Sequence, residues 1–145
     1  MTYDDLLTNI EIKFTPWITW KERKTITGKK LPGVYLLSHF DMKPNKESAN
    51  PRSKEIIYIG ETSKRTLNER LNQFERSAFK RKNDHSGGKN YREIFSDQGE
   101  CLYVALFHVC DLDDKIHPLF IKYIERKLIL EYALEWGESP ICNKE

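Results

Sequence analysis

Two tyrosines in apolar, strand-like segments are the first residues of this sequence whose types and positions could support chemistry. Tyr35 lies in GVYLLSHF and Tyr58 in EIIYIG. Side chains alternate along a strand, so we expect Tyr58 to share one face with Ile56 and Gly60. If the two strands are neighbours, Tyr35 and Tyr58 lie side by side, and Gly60 leaves space beside Tyr58 because it has no side chain. A buried tyrosine is more often a core residue with a satisfied hydroxyl, and that alternative stays open for each of them.

An arginine and a glutamate interrupt the apolar faces of two predicted helices. Arg70 follows Leu67 by three residues and precedes Phe74 by four, which places it beside a buried stripe. Glu125 has apolar residues at −4, +3, +4 and +7. A charged side chain rarely lies in such a place without an opposite charge or a ligand. Arg70 and Glu125 therefore either form an ion pair with each other or bind a phosphate and a metal ion.

Together these four side chains suit the hydrolysis of a phosphodiester bond. Mg²⁺ prefers oxygen ligands and keeps several waters, so one or two carboxylates are enough to hold it. The metal polarises a phosphate oxygen, and an arginine stabilises the charge that develops at phosphorus. A tyrosine can position or deprotonate water, but its ordinary pKa is about 10. Cationic neighbours such as Lys64 or Arg70 are needed to lower that pKa.

Local sequence patterns predict the elements that must position these residues. Strands are predicted over residues 33–40, 55–60 and 101–109, and helices over residues 65–82 and 117–136. The first two strands form a hairpin joined by a polar loop. KNDHSGGKN is predicted to be a loop, YREIF a helical turn, and Gly137 the C-cap of the final helix.

The resulting fold class is α/β (α+β), with the order β-β-α-(α)-β-α. We expect a single domain, with a small three-stranded, mainly antiparallel sheet flanked by helices. Residues 33–143 form its core, and residues 1–30 form an N-terminal arm with a short helix over residues 3–10.

Composition indicates one globular domain without a membrane segment. The chain has 145 residues, of which 39% are hydrophobic and 12% aromatic, which is enough for one core. No run of about 18 apolar residues predicts a transmembrane helix, and MTYDDLLTNI lacks the pattern of a signal peptide. We therefore expect a cytoplasmic protein with no membrane partner. Cys101, Cys110 and Cys142 form neither a CxxC pair nor an even set, so reduced thiols are expected.

Charge is unevenly distributed along the chain, although the net charge is only +2. Residues 64–92 carry nine Lys or Arg and three Asp or Glu, whereas residues 111–145 carry five and eight. A basic middle beside an acidic end suits a polyanion-binding face next to a carboxylate-bearing element. On charge alone, an ordinary solvated helix surface is the favoured interpretation.

The ordered motifs resemble those of the GIY-YIG nuclease superfamily. GVY contains Tyr35 and YIG contains Tyr58, and the 22 residues between the two tyrosines are more than the usual short link, so an insertion is expected there. ETSKRTLNERL supplies Arg70, IERKLI supplies Glu125, and the closing PICN supplies Asn143. The resemblance covers most of the chain.

This resemblance implies a β-β-α-β-α nuclease domain that cleaves DNA with one divalent metal ion, Mg²⁺ or Mn²⁺. Tyr35 and Tyr58 would orient or activate the attacking water, and Arg70 would hold and stabilise the scissile phosphate. Glu125 would bind the metal, and Asn143 would brace the site from outside it.

Further contacts are implied in the basic segment. Lys64 lies between strand and helix, where some family members use a lysine as base or phosphate contact. His85 is the candidate for a histidine that some members place after the arginine helix, and a solvated loop histidine is the alternative. The residues expected to contact DNA are Lys64, Arg65, Arg76, Lys80, Arg81, Lys82 and Lys89.

Three positions depart from the family pattern or leave it ambiguous. Glu61 follows YIG where basic or small residues are common, and it would repel a phosphate unless it points away. Phe74 stands where some members carry a histidine. Glu131 has the spacing to the closing motif that several members show, but Glu125 is preferred as the metal ligand because its helical neighbours are more apolar.

Three functions follow from these observations. The first is a DNA endonuclease of restriction, repair or mobile-element type, with a homodimer as one way to cut both strands. The second is a non-catalytic nucleic-acid-binding module on the same fold. The third is a small-ligand or structural protein in which Arg70 and Glu125 form a buried pair. The nuclease is favoured because binding alone does not require the two tyrosines, the arginine and the glutamate together.

Overall fold

The structure is a computed structural model that describes residues 2–96 and 99–144. Its strands are β1 Ile18–Thr19, β2 Gly33–His39, β3 Ile56–Thr62 and β4 Leu102–His108. Its helices are α1 Tyr3–Asn9, α2 Leu67–Phe79, α3 Ser86–Phe95 and α4 His117–Trp136, and short 3₁₀ helices lie at Trp20–Thr25 and Gly99–Cys101. The strands form one antiparallel sheet in the order β1-β4-β2-β3. The mixed α+β class is therefore confirmed.

Both faces of the sheet are buried, each under different helices. One cluster of buried side chains joins the sheet to α4 and includes Val34, Leu36, Ile121, Ile124 and Leu128. The other cluster joins the opposite face to α2 and α3. Such burial on both faces explains why β2 and β4 are apolar along most of their length.

β1 is a fourth strand within a segment that the sequence assigned only to the N-terminal arm. Ile18 pairs with Val104 of β4. Thr15 also follows β4, because its N–H donates to the carbonyl of Leu106 at 2.9 Å. A strand of two residues is too short to show an alternating pattern, so the predicted three-stranded sheet was one strand too small.

A bulge in β3 changes the face that one residue occupies. Leu37 opposes Tyr58, but Ser38 opposes Ile56, which leaves Ile57 as the extra residue. Ile57 and Tyr58 consequently pack towards α2 and α3, whereas Ile56 packs towards α4. The prediction that Ile56 shares a face with Tyr58 was wrong, because the extra residue reverses the alternation.

α2 starts and stops at identifiable signals. The Thr66 hydroxyl accepts the N–H of Glu69 at 3.1 Å, and the Glu69 carboxylate accepts the N–H of Thr66 at 3.4 Å. This reciprocal capping fixes the first turn. The helix ends at Phe79, shorter than the predicted residue 82, and Arg81 follows in the left-handed region at φ 58°.

α3 is a helix of ten residues where the sequence predicted a loop followed by one helical turn. Its first turn contains Gly87 and Gly88, which have poor helix propensity. Both glycines are required by close packing. A Cβ at Gly87 would lie 2.5 Å from the Tyr58 ring, and a Cβ at Gly88 would lie 2.7 Å from the Ser77 Cβ. Tertiary contacts therefore override local propensity at this point.

α4 has the predicted boundaries, His117–Trp136. Pro118 lies in its first turn, and Gly137 adopts a left-handed conformation at φ 90° as its C-cap. The chain then turns back along β3, where the N–H of Cys142 donates to the carbonyl of Ile57 at 2.8 Å. α4 and this C-terminal segment together bring the last part of the chain to the two motif strands.

None of the described helices combines the length and the apolar character needed to cross a membrane. The three cysteines are free thiols, as expected: Cys142 is buried, Cys101 is half-buried and Cys110 is exposed.

Candidate active site

The two motif tyrosines lie side by side on neighbouring strands, with ring centroids 5.9 Å apart. Gly60 is the cross-strand partner of Tyr35. A Cβ on Gly60 would lie 2.5 Å from Tyr35 Oη and 2.6 Å from the Tyr58 ring. Gly87 packs against the other edge of the Tyr58 ring. Two glycines therefore create the space that Tyr58 occupies.

His85 fixes the position of Tyr35. Its Nε2 lies 2.7 Å from Tyr35 Oη, and its Nδ1 accepts the N–H of Gly88 at 3.0 Å as the N-cap of α3. Burial, reinforced by the charge of Arg70, lowers the pKa of His85 to about 3. The imidazole is therefore neutral, and because Nδ1 accepts, Nε2 carries the hydrogen and donates to Tyr35. His85 is a buried structural partner rather than a solvated loop residue.

Tyr35 is enclosed completely, with 0% of its surface exposed. Burial raises its pKa well above 10, so it stays a neutral phenol. Direct activation of water, which the family resemblance suggested for both tyrosines, does not fit a side chain without access to solvent. In this arrangement Tyr35 holds Tyr58 in place instead.

Tyr58 is the tyrosine that faces a cavity. This cavity, here named the tyrosine cavity, measures about 450 Å³. Its walls include Tyr58, Ser86, Glu125, Ile129, Leu130 and Asn143. Burial raises the pKa of Tyr58, and the opposing charge of Arg70 does not outweigh that effect. The lowered pKa that Tyr58 would need to deprotonate water is therefore not produced by its cationic neighbours.

Arg70 projects from α2 towards the tyrosines and is half-buried. Its Nη1 donates to Gln73 Oε1 at 2.6 Å. No carboxylate in residues 2–96 or 99–144 lies within ion-pairing distance of its guanidinium, so a buried pair with Glu125 does not form. Most of its five N–H donors are available to a ligand. Its charge nevertheless affects the pKa values of Tyr58, His85 and Glu125.

Glu125 is a nearly buried carboxyl group in the wall of the tyrosine cavity. Its side chain is 15% exposed, and Oε1 contacts Arg126 Nε at 3.1 Å. Burial and the neighbouring charge of Glu61 raise the pKa of Glu125 to about 7, despite the opposing effect of Arg126. Glu61 Oε2 is buried without a hydrogen-bond partner among the described residues. Arg126 offsets part of the charge of these two carboxylates, but Glu61 has no ion-pair partner among the described residues, which leaves a deficit of positive charge.

A divalent cation fits that deficit. One bound here would compensate both carboxylates and satisfy the unpartnered oxygen of Glu61. Elsewhere in the described chain, and here, no three His, Cys, Asp or Glu side chains converge as a ready-made metal site. The carboxylates that such a cation could use are Glu125 and Glu61, and one or two carboxylates together with waters are enough to hold Mg²⁺.

Glu131, the alternative metal ligand, is already paired. It accepts from Arg52 and Lys127, each at 3.0 Å. Although burial tends to raise its pKa, these two cations lower it overall. Glu131 is absent from the walls of the tyrosine cavity. Its geometry is that of a surface ion-pair network, so Glu125 is the better-placed carboxylate.

Asn143 braces the site through the backbone of β3. Its Oδ1 accepts the N–H of Ile59 and its Nδ2 donates to the carbonyl of the same residue, both at 2.9 Å. The amide thus acts like a short additional strand beside Ile59, whose chain neighbours are Tyr58 and Gly60. This placement agrees with the bracing role expected from the closing motif.

The basic residues divide into separate groups. Lys64 and Arg65 are exposed and line a second cavity, here named the basic cavity, of about 360 Å³. Arg76 instead binds Asp84 at 2.7 Å and holds the loop between α2 and α3. The remaining residues, Lys80, Arg81, Lys82 and Lys89, are exposed in or after that loop.

Sequence reasoning missed two residues at these cavities. Ser86 lines the tyrosine cavity at the start of α3. Lys122 lines the basic cavity and lies three residues before Glu125 on α4. The helical offset of Lys122 from Glu125 was the available signal, because residues three apart are neighbours on a helix.

No protein-family model, curated protein or solved structure matches this chain. Its functional interpretation therefore depends on the side chains of the site.

Proposed function

We propose that this protein is a metal-dependent DNA endonuclease that hydrolyses phosphodiester bonds with a GIY-YIG type of active site. One observation carries the proposal: Tyr58 from β3 and Glu125 from α4 line the tyrosine cavity, and Arg70 from α2 lines the basic cavity. The charges of Arg70 and Glu125 act on Tyr58 without neutralising each other in an ion pair.

The order of elements supports the same proposal. β2, β3, α2, β4 and α4 follow one another as the resemblance to GIY-YIG nucleases implies, with α3 between α2 and β4. α3 contributes the cap residue His85, which holds Tyr35, and Gly87, which contacts Tyr58. This helix therefore supports the tyrosine pair.

In the proposed mechanism Arg70 binds the scissile phosphate. Its free guanidinium N–H groups donate to the non-bridging oxygens, and the charge stabilises the more negative transition state. A guanidinium suits this role because its donors form a rigid fork that matches phosphate oxygens. The half-buried position of Arg70 strengthens the interaction, since the local dielectric is lower than that of water.

Tyr58 orients the attacking water from the tyrosine cavity. Its hydroxyl is neutral at pH 7 because burial raises its pKa, so it acts first as a hydrogen-bonding group. Arg70 favours the phenolate and the ionised Glu125 disfavours it. Tyr35 restricts the ring of Tyr58 from one side and Gly87 allows close packing on the other.

Glu125 and Glu61 would hold the metal ion, Mg²⁺ or Mn²⁺. When bound, the metal supplies Lewis-acid polarisation of a phosphate oxygen and compensates the carboxylate charge. Asn143 keeps β3 at the wall of the cavity. A single chain carries one such site, so cutting both strands of DNA requires a homodimer or two successive cuts.

Supercoiled plasmid tests the proposal directly. We expect nicking with Mg²⁺ or Mn²⁺, none with EDTA, and loss of nicking in Arg70→Ala and Glu125→Ala. Glu131→Ala is the matched control on the same helix and should retain activity, because Glu131 is held by Arg52 and Lys127 away from the cavity.

The same assay separates the alternative function. Salt-sensitive DNA binding by the wild-type protein without any nicking would support a non-catalytic nucleic-acid-binding module. Nicking that survives Glu125→Ala but not Glu131→Ala would contradict the proposed metal ligand.

A further inference from the structure

The basic cavity has a composition suited to an anion. It is lined by Glu61, Thr62, Ser63, Lys64, Arg65, Arg70 and Lys122. Every lining side chain is polar or charged, with four cations and one carboxylate. The tyrosine cavity differs, because Ile129, Leu130 and Ala133 form part of its wall. The excess of cationic side chains therefore makes an anionic group the expected ligand of the basic cavity.

The loop that carries two of these cations is held in one conformation. Thr62 is buried, and its hydroxyl donates to the carbonyl of Arg65 at 3.0 Å and accepts the N–H of Arg65 at 3.2 Å. Thr66 then caps α2. The backbone under Lys64 and Arg65 is thus fixed from both sides, which reduces the entropy lost when the loop binds a ligand.

The N-terminus of α2, although close in sequence, does not supply the anion contacts. The N–H of Leu67 donates to the carbonyl of Leu31 at 2.9 Å, and the N–H of Asn68 donates to that of Lys29 at 2.7 Å. The N–H of Glu69 is bound by the Thr66 hydroxyl. The first turn of α2 is therefore occupied, and the side-chain cations supply the positive charge for an anion in this cavity.

Lys122 completes the cation set from the opposite side. It is exposed on α4, whereas Lys64 and Arg65 come from the loop after β3. Within residues 2–96 and 99–144, none of these three cations has an acidic partner at ion-pairing distance. Their charges are free to act on a ligand between the two elements.

We propose that the basic cavity binds the phosphate that adjoins the scissile phosphate on the same DNA strand, and that Lys122 is one of its ligands. Arg70 is shared between the two phosphates, because it lines this cavity and is the arginine that the proposed mechanism assigns to the scissile phosphate. This assignment rests on the proposed nuclease function for the identity of the neighbouring group. The cavity itself predicts phosphate binding whether or not the bond is cut.

Binding in EDTA isolates this site from the chemistry. The affinity of a short fluorescent duplex is measured between 50 and 200 mM salt for the wild type, Lys122→Gln, Lys122→Arg and Lys115→Gln. Loss of one phosphate contact should lower the magnitude of the slope of log affinity against log salt concentration by about 0.9. The factor by which affinity falls from 50 to 200 mM salt should therefore be about 3.5 times smaller for Lys122→Gln than for the wild type. Lys122→Arg should keep the wild-type slope. Lys115→Gln removes the same charge from an exposed residue outside the cavity and should change the slope little.

Neutral methylphosphonate linkages then locate the contact. Each duplex carries one such linkage at a different position around the cut. A neutral linkage beside the scissile position should weaken binding to the wild type and have little further effect on Lys122→Gln. Equal salt slopes for Lys122→Gln and Lys115→Gln would overturn the assignment. It would also be overturned if the loss of affinity caused by a neutral linkage were the same for Lys122→Gln as for the wild type at every position.

The outcomes distinguish this inference from the nuclease proposal. Suppose that Lys122→Gln shows the predicted change in salt slope and that the wild-type protein binds DNA but never cuts it with Mg²⁺. This result supports the phosphate cavity and contradicts the nuclease. Wild-type protein that cuts DNA while Lys122→Gln binds with an unchanged slope supports the nuclease and contradicts the phosphate cavity.

Discussion

Replacing Glu125 by glutamine should stabilise the metal-free protein at high pH, although the proposed nuclease activity should be lost. The pKa of Glu125 is raised from 4.5 to about 7, because its charged form is buried beside Glu61. The folded state therefore keeps a proton that the unfolded state releases between these two values. Stability falls as the pH rises through this window and is constant above it.

The size of the effect follows from the shift. A change from 4.5 to about 7 corresponds to at most about 3–4 kcal/mol of unfolding free energy. Solvent screening of the exposed part of the side chain reduces this to about 1–2 kcal/mol. Glu125→Gln should thus exceed the wild type by that amount at pH 8 and match it near pH 4.

Urea unfolding in EDTA at the two pH values measures this difference, and Glu131→Gln provides a control of opposite sign. The pKa of Glu131 is lowered by Lys127 and Arg52, which outweigh burial, so its ionised form stabilises the fold above its ordinary pKa. Glu131→Gln should destabilise the protein at pH 8 by about 0.5–1 kcal/mol, and this difference should disappear as the pH falls. Equal stability of Glu125→Gln and the wild type at pH 8, or a shift of the same sign in both variants, would refute the electrostatic account of the site.

Three further predictions concern the supports of the site. Gly60→Ala should lower the unfolding free energy by about 1–3 kcal/mol, because its Cβ would lie 2.5 Å from Tyr35 Oη, and an unchanged urea midpoint would contradict this packing. His85→Asn should be more stable than His85→Ala by about 1 kcal/mol, since asparagine keeps the N-cap. Both variants should lose activity, because neither side chain can hold Tyr35. An active His85→Asn would count against the contact between His85 and Tyr35. Asn143→Ala should cost about 1–2 kcal/mol and accelerate hydrogen exchange at the Ile59 amide, and unaltered exchange there would rule out the bracing role.

The parts of the fold that were predictable carry strong local signals. α4 was predicted with its observed ends, because Pro118 marks the first turn and Gly137 the cap. The pairing of the motif strands followed from their apolar alternation, and it placed Tyr35 beside Tyr58. The half-buried position of Arg70 followed from its place beside a helical stripe of apolar residues.

The rest depends on contacts that no local pattern contains. α3 forms in spite of two glycines, since only glycine allows the helix to approach Tyr58 and Ser77 so closely. Tyr35 is enclosed completely because His85, the N-cap of α3, packs against its hydroxyl. The sequence alone therefore did not show that Tyr35 is enclosed whereas Tyr58 faces a cavity. Lys122 was not predicted as a site residue, because its place in the basic cavity depends on the loop that lies opposite it in the fold.

The pairing of the C-terminal segment with β3 has a consequence for assembly. β3 is the outermost strand on its side of the sheet, and such strands tend to recruit a strand from another molecule. Here Cys142 and Asn143 already occupy backbone groups of Ile57 and Ile59. A homodimer that cuts both DNA strands is therefore expected to associate through other surfaces. It is not expected to form by pairing of β3 with a strand of the second molecule.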